Sequence, residues 1–287
     1  VPDMNDKVLE LIDAYGQDPF FIYYPTPAVH VPLYPTGPYQ GQTGLGSYGD
    51  MVAMLDSLVG EIVRRLEKNG VLDDTILIFT SDNGSGAVDY PALMDLGHNP
   101  SYIFRGKKSD IYEGGHREPT IVFYPRLIPP GSICRQLICH TDFFKTFADL
   151  LKVDLPDHAA VDSISGLSLW KGSSQPVREN IICHSVNGSF AMIRGDWKLE
   201  LCRGSGGFNR NEWVDPSTSD EHPYQLYNLS SDIAERRNVA SDHPDLVQDM
   251  KSIVLGYIQN GRSTPGSPQE NTTNCQWKQL ESLLAGQ

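Results

Sequence analysis

The stretch Thr75–Gly86, "TILIFTSDNGSG", places the strongest constraint on what this chain can fold into. Its apolar half is an unbroken run rich in β-branched and aromatic residues. Such a run predicts a strand buried on both faces, as in the middle of a parallel sheet. A strand of that kind needs helices to cover it, and the sequence supplies them. "YGDMVAMLDSLVGEIVRRLEKNG" carries an apolar stripe at Met51, Leu55, Leu58, Ile62 and Leu66, broadened by Val52, Val59 and Val63, and stops at Asn69-Gly70. Residues 5–16 repeat Val8, Leu9, Leu11, Ile12 and Tyr15 at helical spacing before Gly16. Phe20–Tyr24 reads as a short buried strand closed by prolines, and Thr120–Pro125, "TIVFYP", as another. "HTDFFKTFADLL" is a second amphipathic helix. Strands and helices in alternation predict an α/β sheet with helices on its faces.

After about Gly172 the texture changes. "FAMIRGDWKLELC" places Gly195-Asp196 between two strand-like runs, which predicts a hairpin. "HPYQLYNLSSD" adds one more short strand, and "HPDLVQDMKSIVLGYIQNGRS" a late amphipathic helix ending at Asn260-Gly261. The expected organisation is an α/β region over 1–172, a small antiparallel sheet with a helix over 173–262, and a polar tail over 263–287. The chain opens with Val1-Pro2-Asp3 and not with Met, which points to a processed or truncated beginning.

Charge bears on function. The net charge of −13 sets up a field that repels nucleic acid and anionic membranes. An anionic substrate would therefore have to be caught by a local cluster of cations or a metal. No apolar run approaches the about 20 residues that span a bilayer. The five cysteines form no C-x-x-C pair and no zinc spacing. Cys183 and Cys202 could be neighbours, or both could be ordinary buried thiols.

Ligands of open α/β sheets collect at the C-terminal ends of strands, and three such ends carry unusual residues. One runs into the loop bearing His30, which could hydrogen-bond an anion or protonate a leaving oxygen. The second ends in Asp82-Asn83, two hard oxygen donors suited to Ca²⁺ or Mg²⁺, although the same pair can close a strand as an Asx turn. Two oxygens are too few for such an ion. The loop that follows carries His98, Arg105, Lys107 and Lys108, then Glu113-Gly114-Gly115-His116-Arg117. Its cations could hold a tetrahedral oxyanion, or form a solvated basic turn. Together the three ends describe a metal-plus-cation site for a sulfate or phosphate group.

The successive motifs "TPAVHVPLYP", "YGDMVAMLDSLVGEIVRRL", "TILIFTSDNGS" and "FRGKKSDIYEGGHREPTIVFYP" resemble, in order and spacing, those of the type I sulfatases within the alkaline-phosphatase-like superfamily. "GLSLWKG", "FAMIRGDWKLELC" and "YQLYNLSSDIAERRNVA" resemble that family's C-terminal subdomain. The fold this implies is part of a mixed or parallel sheet with flanking helices, plus a small antiparallel sheet with a helix. The resemblance implies that Asp82 and Asn83 ligate Ca²⁺ and that Lys108 contacts the sulfate and leaving oxygen, with Lys107 one residue off that register. It makes His30 the other leaving-side donor, and His98, Arg105 and His184 substrate-pocket residues. The implied substrates are sulfated carbohydrates or aryl sulfates, and the implied location is periplasmic or secreted.

One part of the family pattern is missing. A sulfatase attacks sulfur with a formylglycine made from the Cys or Ser of a C/S-x-P-x-R motif; no cysteine of the 287 residues opens one, and the one serine that does, Ser174 in "SQPVR", follows the pocket motifs instead of preceding them as the family pattern requires. The family's early paired aspartates are absent too. The expectation is a C-terminal segment of a sulfatase, inactive alone, whose partner would be the N-terminal part or another protomer. Two alternatives stand beside it: a non-catalytic glycan-binding or assembly module, and a phosphoester hydrolase of the same superfamily.

Overall fold

Helices α1 (Pro2–Tyr15) and α2 (Gly46–Lys68) open the structure as a packed pair. This computed structural model describes residues 1–86, 90–208 and 223–271. The described residues fall into two compact units: Val1–Tyr102 with Pro119–Arg126, and Ile103–Glu118 with the chain from Leu127 onward.

In the first unit Val8 and Ile12 of α1 bury against Ile62 and Leu66 of α2. The polar seam beside them is specific: Asn5 donates to Glu61 Oε2 at 2.9 Å, and Arg65 pairs with Asp13. The buried stripe of α2 is Met51, Met54, Leu58, Ile62 and Leu66. Met54 therefore stands where the sequence suggested Leu55, because the 3- and 4-residue steps select 54, and Val52 faces solvent. The helix stops as expected, with Gly70 at φ +70°. Asp50 organises the loop ahead of α2. Its carboxylate accepts the N–H of Gly41 at 2.6 Å and of Thr43 at 2.9 Å, which holds its pKa below the usual carboxylate range.

Two strand expectations need correction. The run in "TILIFTSDNG" forms β1 (Leu77–Thr80), but its neighbour is β2 (Thr120–Phe123), paired antiparallel with Leu77 opposite Phe123 and Thr80 opposite Thr120. Among the described residues the two form a two-stranded ribbon, and no parallel pair occurs. Phe20–Tyr24 is assigned to no strand. Its side chains still alternate: Phe20, Ile22 and Tyr24 pack toward α1 and α2, while Phe21 and Tyr23 are 82% and 79% exposed. The alternation marks a segment that lacks a hydrogen-bonded neighbour strand among the described residues, so it satisfies the sequence pattern without becoming sheet. A short helix, α3 (Tyr90–Asp95), closes the unit's polar loop.

The second unit centres on an antiparallel meander, β3 (Asn180–His184), β4 (Phe190–Arg194), β5 (Trp197–Glu200) and β6 (Gln225–Asn228), in that spatial order. The β4–β5 hairpin turns at Gly195-Asp196, with Gly195 at φ +57°. One face, with Met192, Leu199 and Leu226, packs on Val247, Met250 and Val254 of the late helix (Pro244–Asn260). The other face, with Ile181, Ala191, Ile193 and Tyr227, is covered by Ile111 and Tyr112. Burying both faces of a four-stranded sheet is the main source of stability here, at about 1.5–3 kcal/mol for each enclosed large apolar side chain.

Two short helices and one longer helix complete the unit before that last one: α4 (Glu113–His116), α5 (Asp142–Leu151) and α6 (Leu167–Trp170), so the late helix is α7. Asp142 anchors α5. Its carboxylate accepts the N–H groups of Cys139 (2.9 Å) and Ile164 (2.8 Å) and pairs with the buried Arg178. After α7, Arg262 donates to the carbonyls of Thr264, Pro265 and Ser267 and to Asp157, so the start of the polar tail is pinned by one guanidinium. Cys134, Cys139, Cys183 and Cys202 are free thiols, and Cys275 lies outside the described residues. Burial pushes the thiols of Cys183 and Cys202 up to about 12, so both are neutral.

Candidate functional site

In the first unit, β1 ends in a polar turn. Ser81 Oγ donates to Asn83 O at 2.9 Å, and Asn83 Nδ2 donates to Gly84 O at 3.1 Å. Asp82 is exposed. Tyr48 of α2, which sequence reasoning did not single out, joins this end to the next candidate. Its hydroxyl lies 3.3 Å from Ser85 Oγ, and its ring centroid 6.1 Å from that of His98. The backbone N–H of His98 donates to Leu93 O at the end of α3. His30 is exposed, with Nδ1 2.7 Å from Val31 O and its N–H on Pro27 O. Its neighbour Val29 packs against the Tyr48–Leu93 cluster, so all three candidate segments rest on the start of α2.

The carboxylate of Asp82 and the side-chain carbonyl of Asn83 are hard oxygen donors, the right chemistry for Ca²⁺. Among the described residues there is no group of three or more His, Cys, Asp or Glu that could hold a metal ion. Ca²⁺ takes about 6–8 oxygens, so these two residues amount to part of a shell.

In the second unit, Arg105–His116 forms a tight loop held on the second face of the sheet. Its shape depends on glycines. A Cβ on Gly114 would sit 2.4 Å from Gly106 O, and one on Gly115 2.2 Å from Asp110 O. Gly106 itself has φ +78°. The Lys107–Asp110 turn is closed twice: Asp110 N–H donates to Lys107 O, and Lys107 N–H to Asp110 Oδ2, each at 3.0 Å. Ser109 is held at φ +83°, a conformation that a non-glycine residue adopts only under constraint. The constraint comes from Val186 N–H on Ser109 O at 3.0 Å and Phe208 N–H on Ser109 Oγ at 3.4 Å.

The strain directly follows Lys108. Among the described residues, the ammonium of Lys108 has neither a hydrogen-bond nor an ion-pair partner, and the side chain is only half-buried. His184, at the exposed end of β3, lies two residues before Val186, which brings that strand end to the lysine turn. Its ring meets Phe190 edge-on at 6.5 Å. Arg105 is placed differently. Its guanidinium donates to Tyr227 Oη (3.1 Å) and Glu235 O (2.7 Å) and lies 3.7 Å over the Tyr112 ring. These contacts face the sheet. The constellation can thus present cationic and polar groups for an anion, built on a backbone that cannot relax.

The sulfatase family model matches residues 3–153. The chain belongs to the sulfatase family. It is 37% identical over 256 residues to an N-acetylgalactosamine-6-O-sulfatase of Bacteroides thetaiotaomicron, covering 88% of this chain and 49% of that protein. It is 30% identical over 262 residues to human arylsulfatase A, covering 85% of this chain and 50% of the relative. A Bacteroides thetaiotaomicron structure from work on the metabolism of multiple glycosaminoglycans superposes with a TM-score of 0.77 at 34% identity, over 88% of this chain and 53% of that one. This sulfatase-family chain therefore spans about half the length of the curated relatives it matches, and its fold is the mixed α/β fold of the alkaline-phosphatase-like sulfatases. No helix among its described residues is long and apolar enough to cross a membrane.

Proposed function

We propose that this chain supplies the anion-holding and leaving-group side of a sulfuric ester hydrolase acting on sulfated carbohydrates or aryl sulfates. The observation that carries the proposal is the lysine turn: Lys108, without an ionic partner among the described residues, on a strained and doubly closed backbone in a chain of net charge −13. A fixed ammonium suits a sulfate monoester, whose developing charge on the leaving oxygen it would stabilise. In this scheme Lys108 and His30 serve the sulfate and leaving oxygen, and His98 and His184 line the sugar side. Asp82 and Asn83 would contribute two oxygens to a Ca²⁺ ion. Bound there, the ion supplies Lewis-acid charge neutralisation at the sulfate oxygens. Arg105 acts from below, as an anchor of the loop.

The nucleophile is formylglycine chemistry, and the one formal C/S-x-P-x-R match in the 287 residues, Ser174–Arg178, follows the pocket motifs, has its arginine buried against Asp142 and is not assigned as its source. It therefore comes, in this scheme, from residues outside those 287, in a polypeptide part that packs with residues 1–172 as the catalytic α/β region. Residues 173–262 form the small sheet subdomain. The exposed faces of Phe21, Tyr23 and Ile121 are where added strands would pack. The relatives' substrates suggest a sulfated glycosaminoglycan sugar, met in a periplasmic or extracellular setting.

The test is an arylsulfatase assay with Ca²⁺ on material purified through a tag on this chain, with the mass of every polypeptide present. The expected result is turnover that tracks a second polypeptide bearing its own C/S-x-P-x-R motif and falls at least 100-fold in Lys108→Ala. A lone chain that neither turns over nor binds a sulfated disaccharide by calorimetry would overturn the proposal.

A further inference from the structure

Beneath the lysine turn lies a buried charged cluster that the candidate residues do not account for. Lys198, in β5, is completely buried. Its Nζ lies 2.7 Å from Glu235 Oε1, 3.1 Å from Glu113 Oε1 and 3.6 Å from Glu200 Oε1. Glu235 and Glu200 are as deeply enclosed as the lysine. Glu113 is also held from the other side by Arg117, whose Nε donates to Oε2 at 2.6 Å.

The connectivity is what gives the cluster a purpose. Glu113 is one end of the lysine loop and Arg105 the other. The N–H of Glu113 donates to Glu235 Oε2 at 2.7 Å, while the Arg105 guanidinium donates to Glu235 O at 2.7 Å. Both ends therefore converge on one residue, through its side chain and its main chain respectively. Glu235 is itself in the left-handed region, at φ +51°, an arrangement that persists only when its surroundings fix it. Lys198 fixes it from below, standing opposite Tyr227 in the β5–β6 register. An interior charged cluster is a poor way to gain stability, since well-packed apolar residues usually do as well or better. It is an effective way to impose one geometry.

We infer that Glu235 and Lys198 are positioning residues, which clamp the two ends of the Arg105–Glu113 loop onto the small sheet and so fix where Lys107 and Lys108 stand. The inference rests on the proposal above that this loop receives the sulfate group. Through the clamp, β5 and the segment after β6 set the geometry of the anion site. Among the described residues neither carboxyl oxygen of Glu200 has a hydrogen-bond partner at the loop ends, which makes it a natural control, and burial and the neighbouring Glu235 raise its carboxyl well above its usual range.

The test uses the full chain and the variants Glu235→Gln, Lys198→Met and Glu200→Gln. A glutamine amide has one acceptor oxygen, so at position 235 it can serve Glu113 N–H or Lys198, but not both. Two readouts are needed: hydrogen exchange at residues 113–115 against that in β4 and β5, and protection of Lys107 and Lys108 from acetylation by inorganic sulfate. In Glu235→Gln, exchange at 113–115 should rise at least tenfold while β4 and β5 stay protected, and sulfate protection should weaken at least tenfold. Glu200→Gln should change neither. If Lys198→Met fails to fold, Glu235→Gln still decides. Native exchange at 113–115 in that variant, or a rise shared by the whole unit, would overturn the inference. If the unmodified chain shows no sulfate protection while the exchange result holds, the clamp stands and the anion assignment falls.

Discussion

Among the described residues strand β1 has one hydrogen-bonded neighbour, β2, whereas β4 and β5 each have two. Their sequences, "LIFT" against "FAMIR" and "WKLE", do not foretell this. None of the four residues of β1 is fully buried, and Ile121 of β2 is 62% exposed, while Met192 and Leu199 are wholly enclosed. The lesson concerns what a strand needs besides composition. The β4–β5 hairpin finds a helix on one face and the lysine loop on the other within its own unit. The β1–β2 ribbon packs on the α1–α2 pair through Leu77 and leaves apolar surface elsewhere. One region is enclosed on both faces, and the other leaves apolar side chains in water.

If that contrast is real, equal truncations should be felt unequally. Leu226→Ala in β6, wholly buried in the face that packs on α7, should cost about 3–4 kcal/mol, as a deep cavity does. Ile78→Ala, at a half-buried position of β1, should cost about 1–2 kcal/mol. Urea unfolding of both variants checks this, and similar losses would mean that β1 is as enclosed as β6. Backbone packing gives a second contrast, within the second unit. Gly115→Ala drives a Cβ to within 2.2 Å of Asp110 O and should cost about 3 kcal/mol, with loss of the lysine turn. Gly256→Ala, where no heavy atom lies within 4 Å inside α7, should gain about 0.5–1 kcal/mol. Thermal unfolding separates them, and a neutral Gly115→Ala would show that the loop can yield.

Much of this was legible. The α2 stripe, the Asn69-Gly70 stop, the β4–β5 hairpin and α7 each follow from periodicity and turn chemistry that local structure alone satisfies. The pairing of β1 was not legible, because an apolar run declares burial and not direction. Phe20–Tyr24 shows the same limit: its alternation is correct, yet pairing depends on a neighbour that the segment does not specify. The clamp was hidden for a different reason. In "DWKLELC" Lys198 and Glu200 alternate with Trp197, Leu199 and Leu201, which is the pattern of a strand with one wet face. Only the loop packed over that face turns the wet side into a buried ion cluster. Arg105 was visible as a cation, but the Tyr227 and Glu235 it binds lie more than 120 residues away.

Acid should act on the second unit through His116. Burial, then the charge of Lys198, hold its folded pKa near 4, against the usual 6.5. The unfolded chain therefore takes up this proton first. The contribution of neutral His116 is intact above about pH 6.5 and is lost as pH falls toward 4, on the order of 2–3 kcal/mol over that window. Glu200 and Glu235, whose carboxyls are raised by burial, act in the opposite direction over part of the same range. The comparison that isolates the histidine is therefore native chain against His116→Gln, in which the carboxylates cancel. Their stability difference, measured by urea unfolding at pH 7 and pH 4.5, should narrow at the lower pH. A constant difference would mean that His116 titrates normally.

The smallest effect bears most directly on what completes the first unit. Ile121→Thr keeps a β-branched side chain on β2 and removes apolar surface that is already mostly in water. In the chain alone it should shift stability by less than about 0.5 kcal/mol, since surface substitutions rarely do more. If a nucleophile-bearing part packs its own strands on this face, the same substitution places a hydroxyl in an apolar seam. Association should then weaken by about 1 kcal/mol, roughly fivefold, in a pull-down titration against that part. Loss of stability in the isolated chain would instead mean that Ile121 is covered from within, and the contrast between the two units would have to be drawn elsewhere.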